Sequence, residues 1–269
     1  MLKIHNANNE RFIFFGDIHG LFKEFVFFLI NQCQIENINI VICGDFGVGF
    51  YKINYYKTLF QKLNRKLAKK NIHIYAFRGN HDDPEYFSDG GLKTIVLGGV
   101  TNIHLIDDYD FIVNDNNTIL CIGGARSVDK TDRCKWDKKL QKEVYDGWWE
   151  GEMIKDIPVG FNNFVIDNNI KINIICSHSA PHFCEPILKS GIDCWSKVDE
   201  TLLEDCTNER LLLTNIFEKL NVNHDLKYWF YGHFHNTYYT VYNDVVFRGI
   251  KLFNGKIKTD FFELYLENN

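Results

Sequence analysis

Five short apolar runs, rich in β-branched and aromatic residues, are spaced along the chain, and each stops at a cluster of polar residues able to bind a metal. They are FIFF before GDIHG (residues 16–20), INIVIC before GDFG (44–47), IHIYAFR before GNHD (79–82), IKINIIC before SHSAP (177–181) and LKYWFY before GHFH (232–235). Each run reads as a buried strand. Between the first three lie two segments of helical character, Leu21 to Cys33 and Tyr55 to Lys70, the second with Tyr56, Leu59, Phe60, Leu63 and Leu67 at helical spacing. Strand and helix in alternation imply parallel strands with right-handed crossovers. The carboxyl ends of neighbouring strands, where open α/β sheets bind ligands, then come together.

Beyond GNHD the pattern shortens to TIVLGGV, IHLI and TILCIGG, with turn-prone GG and DNN between them, pieces suited to a second sheet packed on the first. Glu200 to Leu220 predicts another helix. The tail predicts antiparallel strands around Tyr238 to Tyr242, Val245 to Arg248 and Phe261 to Leu266. No internal repeat or low-complexity linker interrupts the pattern, so residues 1–269 are expected to form one domain.

Composition adds exclusions. Of 269 residues, 45% are apolar and 24% charged, ordinary for a soluble globular chain and enough for a large core. The longest apolar runs, such as Phe25 to Ile30, are far shorter than the roughly 20 residues of a membrane span. The N-terminal MLKIHNANNE lacks the basic, apolar and small-residue sequence of a secretory signal, so a cytoplasmic location is expected. Among eight cysteines, Cys43, Cys121 and Cys176 sit inside apolar runs and no CxxC pair occurs, which predicts reduced, mostly buried thiols. A net charge of -5 offers no general attraction for nucleic acid, although bound cations would reverse the local sign and accommodate an anionic substrate.

The five junctions supply a specific set of donors: Asp17 with His19, Asp45, Asn80, His178, and His233 with His235. Phosphate esters resist hydrolysis because the anionic phosphoryl group repels nucleophiles. Two cations a few ångströms apart overcome this by acidifying a shared water and neutralising phosphoryl oxygens, and they need oxygen and imidazole ligands with one bridging carboxylate. An i, i+2 pair at a strand end turns both side chains to one face. Gly16, Gly44, Gly79 and Gly232 stand just before the donor groups, where they permit close backbone approach. A single Gly-Asp or a lone histidine would be an ordinary turn or core residue, and His5, His73, His104, His182 and His224 are read that way. Chance does not account for five of ten histidines, two Gly-Asp steps and a Gly-Asn step, all placed directly after five buried strands.

GDIHG, GDFG, GNHD, SHSAP and GHFH, in this order over residues 16 to 235, resemble the calcineurin-like metallophosphoesterase signature. The resemblance implies a two-sheet β-sandwich flanked by helices, a four-layer α/β/β/α architecture with a dinuclear centre at one edge. By position, one metal takes Asp17, His19 and His235, the other takes Asn80, His178 and His233, and Asp45 bridges them. A metal-bridging water or hydroxide would attack phosphorus, while His81, matching the family's catalytic histidine, would protonate the departing oxygen. Asp82 is expected either to organise that loop or to serve as a plain turn residue. The protein phosphatase branch carries Asp-Arg-Gly after the bridging aspartate; this chain reads GDFGVGF, which disfavours that branch and leaves the partner of His81 open.

Two further segments bear on substrate. In GGARSVDKTDR (123–133) and GWWEGEM (147–153), Arg126, Lys130 and Arg133 are candidates to bind phosphate charge, and Trp148 and Trp149 to stack on a base or close a lid. The alternative is that the basic residues are solvated and the tryptophans cover core. These stretches, of the form GGAxSxDK and WWxxE, are similar to those of a bacterial and phage phosphoesterase subgroup. Substrate-facing insertions are accordingly expected around 125–160 and 182–200. The expected enzyme is a cytoplasmic hydrolase of a small phosphomonoester or nucleotide. It would use two divalent metals, Mn or Fe first, with Zn or Ni also suited to the mixed donors. A nuclease or cyclic phosphodiesterase, a phosphoprotein phosphatase and a non-catalytic metal-bound scaffold are the rival readings.

Overall fold

The computed structural model describes residues 1–137, 142–145, 147–255 and 262–264, with the backbone alone for 135–137, 142–145 and 262–264. The strands are β1 (Ile4–Asn6), β2 (Phe12–Phe15), β3 (Ile38–Ile42), β4 (Ile72–Phe77), β5 (Ile103–Ile106), β6 (Phe111–Val113), β7 (Thr118–Ile122), β8 (Cys134–Asp137), β9 (Lys142–Tyr145), β10 (Ile174–Ser177), β11 (Tyr228–Tyr231), β12 (Tyr238–Tyr242), β13 (Val245–Gly249) and β14 (Phe262–Leu264). The helices are α1 (Phe22–Phe27), continued by a π-helical turn at Phe28–Gln32, then α2 (Ile53–Ala68), α3 (Gly91–Val96), α4 (Lys130–Arg133), α5 (Phe161–Asp167), α6 (Ile192–Trp195) and α7 (Leu202–Asn221).

One sheet runs β14-β2-β3-β4-β5, parallel except for β14; the other runs β1-β6-β7-β10-β11-β13-β12. The apolar runs are continuous because both faces of each strand are buried. In β2, Phe12 and Phe14 point between the sheets, with Phe14 stacked on Phe230 of β11 at 4.0 Å, while Ile13 and Phe15 point outward to the helices. Helix α2 buries Tyr56, Leu59, Phe60, Leu63 and Leu67, the stripe its spacing predicts, each worth about 1.5–3 kcal/mol when removed from water. On the far side α5 and α7 cover the second sheet with Phe161, Leu213, Ile216 and Phe217. The order of layers is therefore helix, sheet, sheet, helix.

Several expectations are corrected. TIVLGGV is not a strand: Leu92 and Val96 lie four apart on the buried side of α3, Ile95 is exposed, and the chain turns at Gly98–Gly99. IHLI forms β5 but joins the first sheet, parallel to β4. The run from Ile170 becomes strand only at Ile174. Strands β1 and β6 and the β8–β9 hairpin carry too little periodicity to be read from sequence. Of the strand expected over 261–266, residues 262–264 pair with β2 and the remainder lies outside the described residues. No disulfide joins the eight cysteines, and Cys43, Cys121 and Cys176 are buried between the sheets. Among the described residues no helix is long and apolar enough to cross a membrane.

Candidate metal centre

The ends of β2, β3, β4, β10 and β11 lie side by side, and the loops leaving them carry the seven predicted donors to one place. On one side His235 Nε2 is 3.0 Å from Asp17 Oδ2 and 3.1 Å from His19 Nε2. On the other, Asn80 Oδ1 is 3.0 Å from both His178 Nε2 and His233 Nδ1. Asp45 faces both groups, with Oδ2 at 3.7 Å from His19 Nε2 and Oδ1 at 3.3 Å from His178 Nε2. Donor atoms of Asp17, His19, Asp45 and His235 all lie within 4.8 Å of one another.

These donors fit divalent cations. Asp17 Oδ2 and Asp45 Oδ2 are buried acceptors that no hydrogen bond satisfies, a costly state unless positive charge stands beside them. His178 Nδ1 lies 2.9 Å from the Cys43 carbonyl, which holds the proton there and turns the Nε2 lone pair inward. The Asn80 amide nitrogen donates to Ser127 Oγ at 3.0 Å, which turns its carbonyl oxygen to the same centre. The carboxylates attract charge strongly: burial opposes a charged His178, yet Asp45 and Asp17 raise it to about 9. Burial would also lift the carboxyl of Asp45, but His178 and His81 hold it well below the usual range.

The i, i+2 pairs converge by a route other than strand alternation. His19, Asp45, His233 and His235 have φ of 42°, 45°, 63° and 58°, in the left-handed region that non-glycine residues seldom adopt. The glycines matter for space: a methyl group at Gly44 would strike the His178 ring, and one at Gly79 the Asp45 carboxylate.

His81 donates its backbone N–H to Asp45 Oδ1 at 2.7 Å, and its ring lies 4.9 Å from that of His19. Its Nε2 is 2.6 Å from Arg133 Nη2; a guanidinium can only donate, so Nε2 accepts. Burial pushes this imidazole down to about 4, with Asp45 opposing and Arg133 reinforcing. Asp82 is fully buried and accepts from the backbone N–H groups of Phe46, Gly47, Val48 and Gly79, tying the GDFG loop to the GNHD loop.

The substrate candidates separate. Arg133 is at the cluster, held by Asp129 at 2.6 Å and by the Gly147 carbonyl. The Arg126 guanidinium is turned elsewhere: it is 4% exposed and pairs with Asp199 at 2.6 Å and Asp205 at 3.0 Å, which braces the fold. Lys130 lies over the Trp148 ring at 4.7 Å, and Trp149 packs edge-on against Phe50 beside Gly49.

Three residues escape the sequence reading. Glu152 accepts from Ser127 N at 2.9 Å and Ser127 Oγ at 2.5 Å, and so stands behind Asn80. Both lie in the GGAxSxDK and WWxxE stretches, where their polar character is the available signal. Lys189 Nζ reaches to 3.4 Å from His233 Nδ1; nothing in its sequence surroundings marks it. Lys189 also lines a cavity of about 60 Å³ with Ile187, Leu188, Ile192 and Phe234.

The sequence profile described as calcineurin-like phosphoesterase matches residues 10–237. No curated protein matches the chain. Among solved structures, TT1561 of Thermus thermophilus is similar at 10% identity with a TM-score of 0.47, covering 90% of this chain and 88% of that one. The phosphopantetheinyl hydrolase PptH of Mycobacterium tuberculosis is similar at 12% identity with a TM-score of 0.40, covering 90% and 89%.

Proposed function

Because the chain belongs to the calcineurin-like phosphoesterase family, we propose that it hydrolyses a phosphate ester at the Asp17–Asp45 cluster, with two divalent cations held there. Asp17, His19 and His235 would hold one ion and Asn80, His178 and His233 the other, with the Asp45 carboxylate shared. Mn or Fe is the first choice, and Zn or Ni also suits the donors. Bound, the pair supplies Lewis acidity toward a water nucleophile and toward the phosphoryl oxygens.

The chain's own groups complete the reaction. Water oxygen adds to phosphorus and the bond from phosphorus to the ester oxygen breaks; His81 Nε2, an acceptor in the resting site, would take up a proton released by the attacking water and pass it to that departing oxygen. Asp82 keeps His81 in register by fixing both flanking loops through four backbone donors. Ser127 and Glu152 fix the Asn80 amide so that its carbonyl faces the centre. Arg133 and Lys189, from the segments around 125–160 and 182–200, would meet the substrate.

The observation that carries this reading is the Asp45 carboxylate, buried, with one oxygen toward each donor group and one of them unsatisfied. The test compares turnover of p-nitrophenyl phosphate, bis-p-nitrophenyl phosphate and single-stranded DNA with Mn(II) and after chelation. Turnover that disappears on chelation is expected. Its absence on all three substrates would favour a non-catalytic metal-bound scaffold instead.

A further inference from the structure

Two cationic side chains reach the cluster from separate segments. Arg133, in α4, touches His81; Lys189, in the loop before α6, touches His233. Both are firmly placed. Arg133 is clamped by two hydrogen bonds to Asp129, at 2.6 and 2.9 Å, and is nine-tenths buried. The loop that carries Lys189 is gathered by Arg210 of α7, which donates to the carbonyls of Ala180, Pro181, Cys184, Pro186 and Ile187. The Lys189 ammonium lies within the field of Asp17, Asp45, Asp129 and Arg133, although burial lowers its pKa. With divalent cations on the carboxylates, these two side chains would add to the positive charge of the centre, and an anionic ligand would balance it.

We propose that Lys189 and Arg133 form the phosphoryl-binding pair and select a terminal phosphoryl group, making the chain a phosphomonoesterase; this rests on the phosphoesterase reading above. A monoester near neutral pH carries close to two negative charges and three non-bridging oxygens, whereas a diester carries one charge and two such oxygens. The planar guanidinium and the point-like ammonium can each take one of those oxygens by a charge-assisted hydrogen bond. Arg133 keeps Asp129 and Gly147 while its Nη2 exchanges His81 Nε2 for a phosphoryl oxygen. That exchange leaves His81 Nε2 free to face the ester oxygen. The selectivity is therefore written in one residue from each of the two insertions.

The experiment uses full-length protein loaded with Mn(II), as wild type, Lys189→Met and Arg133→Met. Orthophosphate binding is measured by calorimetry, and kcat and KM are measured on p-nitrophenyl phosphate and on its bis-ester. Each substitution is expected to weaken orthophosphate binding and raise the monoester KM by about ten- to a hundredfold. The loss in bis-ester kcat/KM for Lys189→Met should be about tenfold smaller than the monoester's loss, because the diester has one charge and one non-bridging oxygen fewer for the pair to hold. Lys189→Gln, with the unfolding midpoint recorded, serves if the methionine variant misfolds. Equal losses on both esters, or unchanged orthophosphate affinity, would overturn the pair. Wild-type protein that turns over neither ester while still binding orthophosphate through Lys189 would instead sink the phosphoesterase reading and leave the pair standing.

Discussion

The floor of the cluster and its rim are built on different principles. The floor is five strand ends, each fixed by a hydrogen-bonded ladder and a two-sided apolar core, with donors placed by backbone geometry. The rim, residues 123–133, 147–153 and 180–192, has little regular structure and is held by three buried arginines. Arg78 pairs with Asp108 and donates to the carbonyls of Gly151, Glu152 and Met153; Arg126 pairs with Asp199 and Asp205; Arg210 gathers the carbonyls of the 180–187 loop. A floor made this way distributes its stability over many bonds. A rim made this way concentrates it in a few side chains, so single substitutions there have sharper and more separable effects.

The contrast can be broken at graded points. The largest effect should come from the floor: Asp45→Ala is expected to lose metal, read by elemental analysis, and to lower turnover by more than about a hundredfold, the upper end seen when even outer partners of a metal are removed. Retained metal content would show that Asp45 is not shared between ions. Next, His81→Ala should keep both metals and lose about 10²–10⁴ in kcat; metal loss there would reassign His81 to the donor set. Glu152→Gln lies where rim supports floor, and about ten- to a hundredfold weaker metal binding is expected with the fold intact.

Arg126→Ala separates bracing from substrate contact. Leaving Asp199 and Glu152 beside an empty guanidinium site should cost about 3–5 kcal/mol in denaturant unfolding, with KM of the folded protein unchanged. A raised KM at unaltered stability would return Arg126 to the substrate. The smallest effect concerns Glu209, whose carboxyl burial pushes up to about 7 from an ordinary 4.5. A raised carboxyl favours its neutral form in the fold, so its contribution is complete below about pH 4.5 and is lost as pH rises through about 7. Glu209→Gln should match wild type in unfolding midpoint near pH 5 and exceed it near pH 8; parallel profiles would contradict this.

The floor was legible and the rim was not, for a physical reason. Strand-end donors announce themselves because ordinary turn chemistry seldom closes one buried apolar run after another with Gly-Asp, Gly-Asn or Gly-His, and α2 shows its buried stripe in its spacing. Basic residues in irregular segments carry no such signal: Arg126 and Arg133 stand seven apart in one stretch, one enclosed by carboxylates and the other against His81. Which is which depends on Asp199, Asp205 and Glu152, more than twenty residues away in sequence. Lys189 depends on Arg210 in the same way. TIVLGGV misleads because a short apolar run does not distinguish strand from helix until its neighbours are known.

One feature of the floor bears on how such a sequence persists. His19, Asp45, His233 and His235 each hold a left-handed backbone, at about 1–2 kcal/mol apiece for an ordinary L-residue and almost nothing for glycine. Drift under selection for folding alone would favour Gly or Asn at all four positions, and the chain would become more stable as it lost its donors. Four donors that oppose the stability of their own fold are the mark of a site shaped for binding chemistry at the expense of folding. In directed evolution toward higher thermal tolerance, these four positions are where gains in melting temperature and loss of chemistry would arrive together.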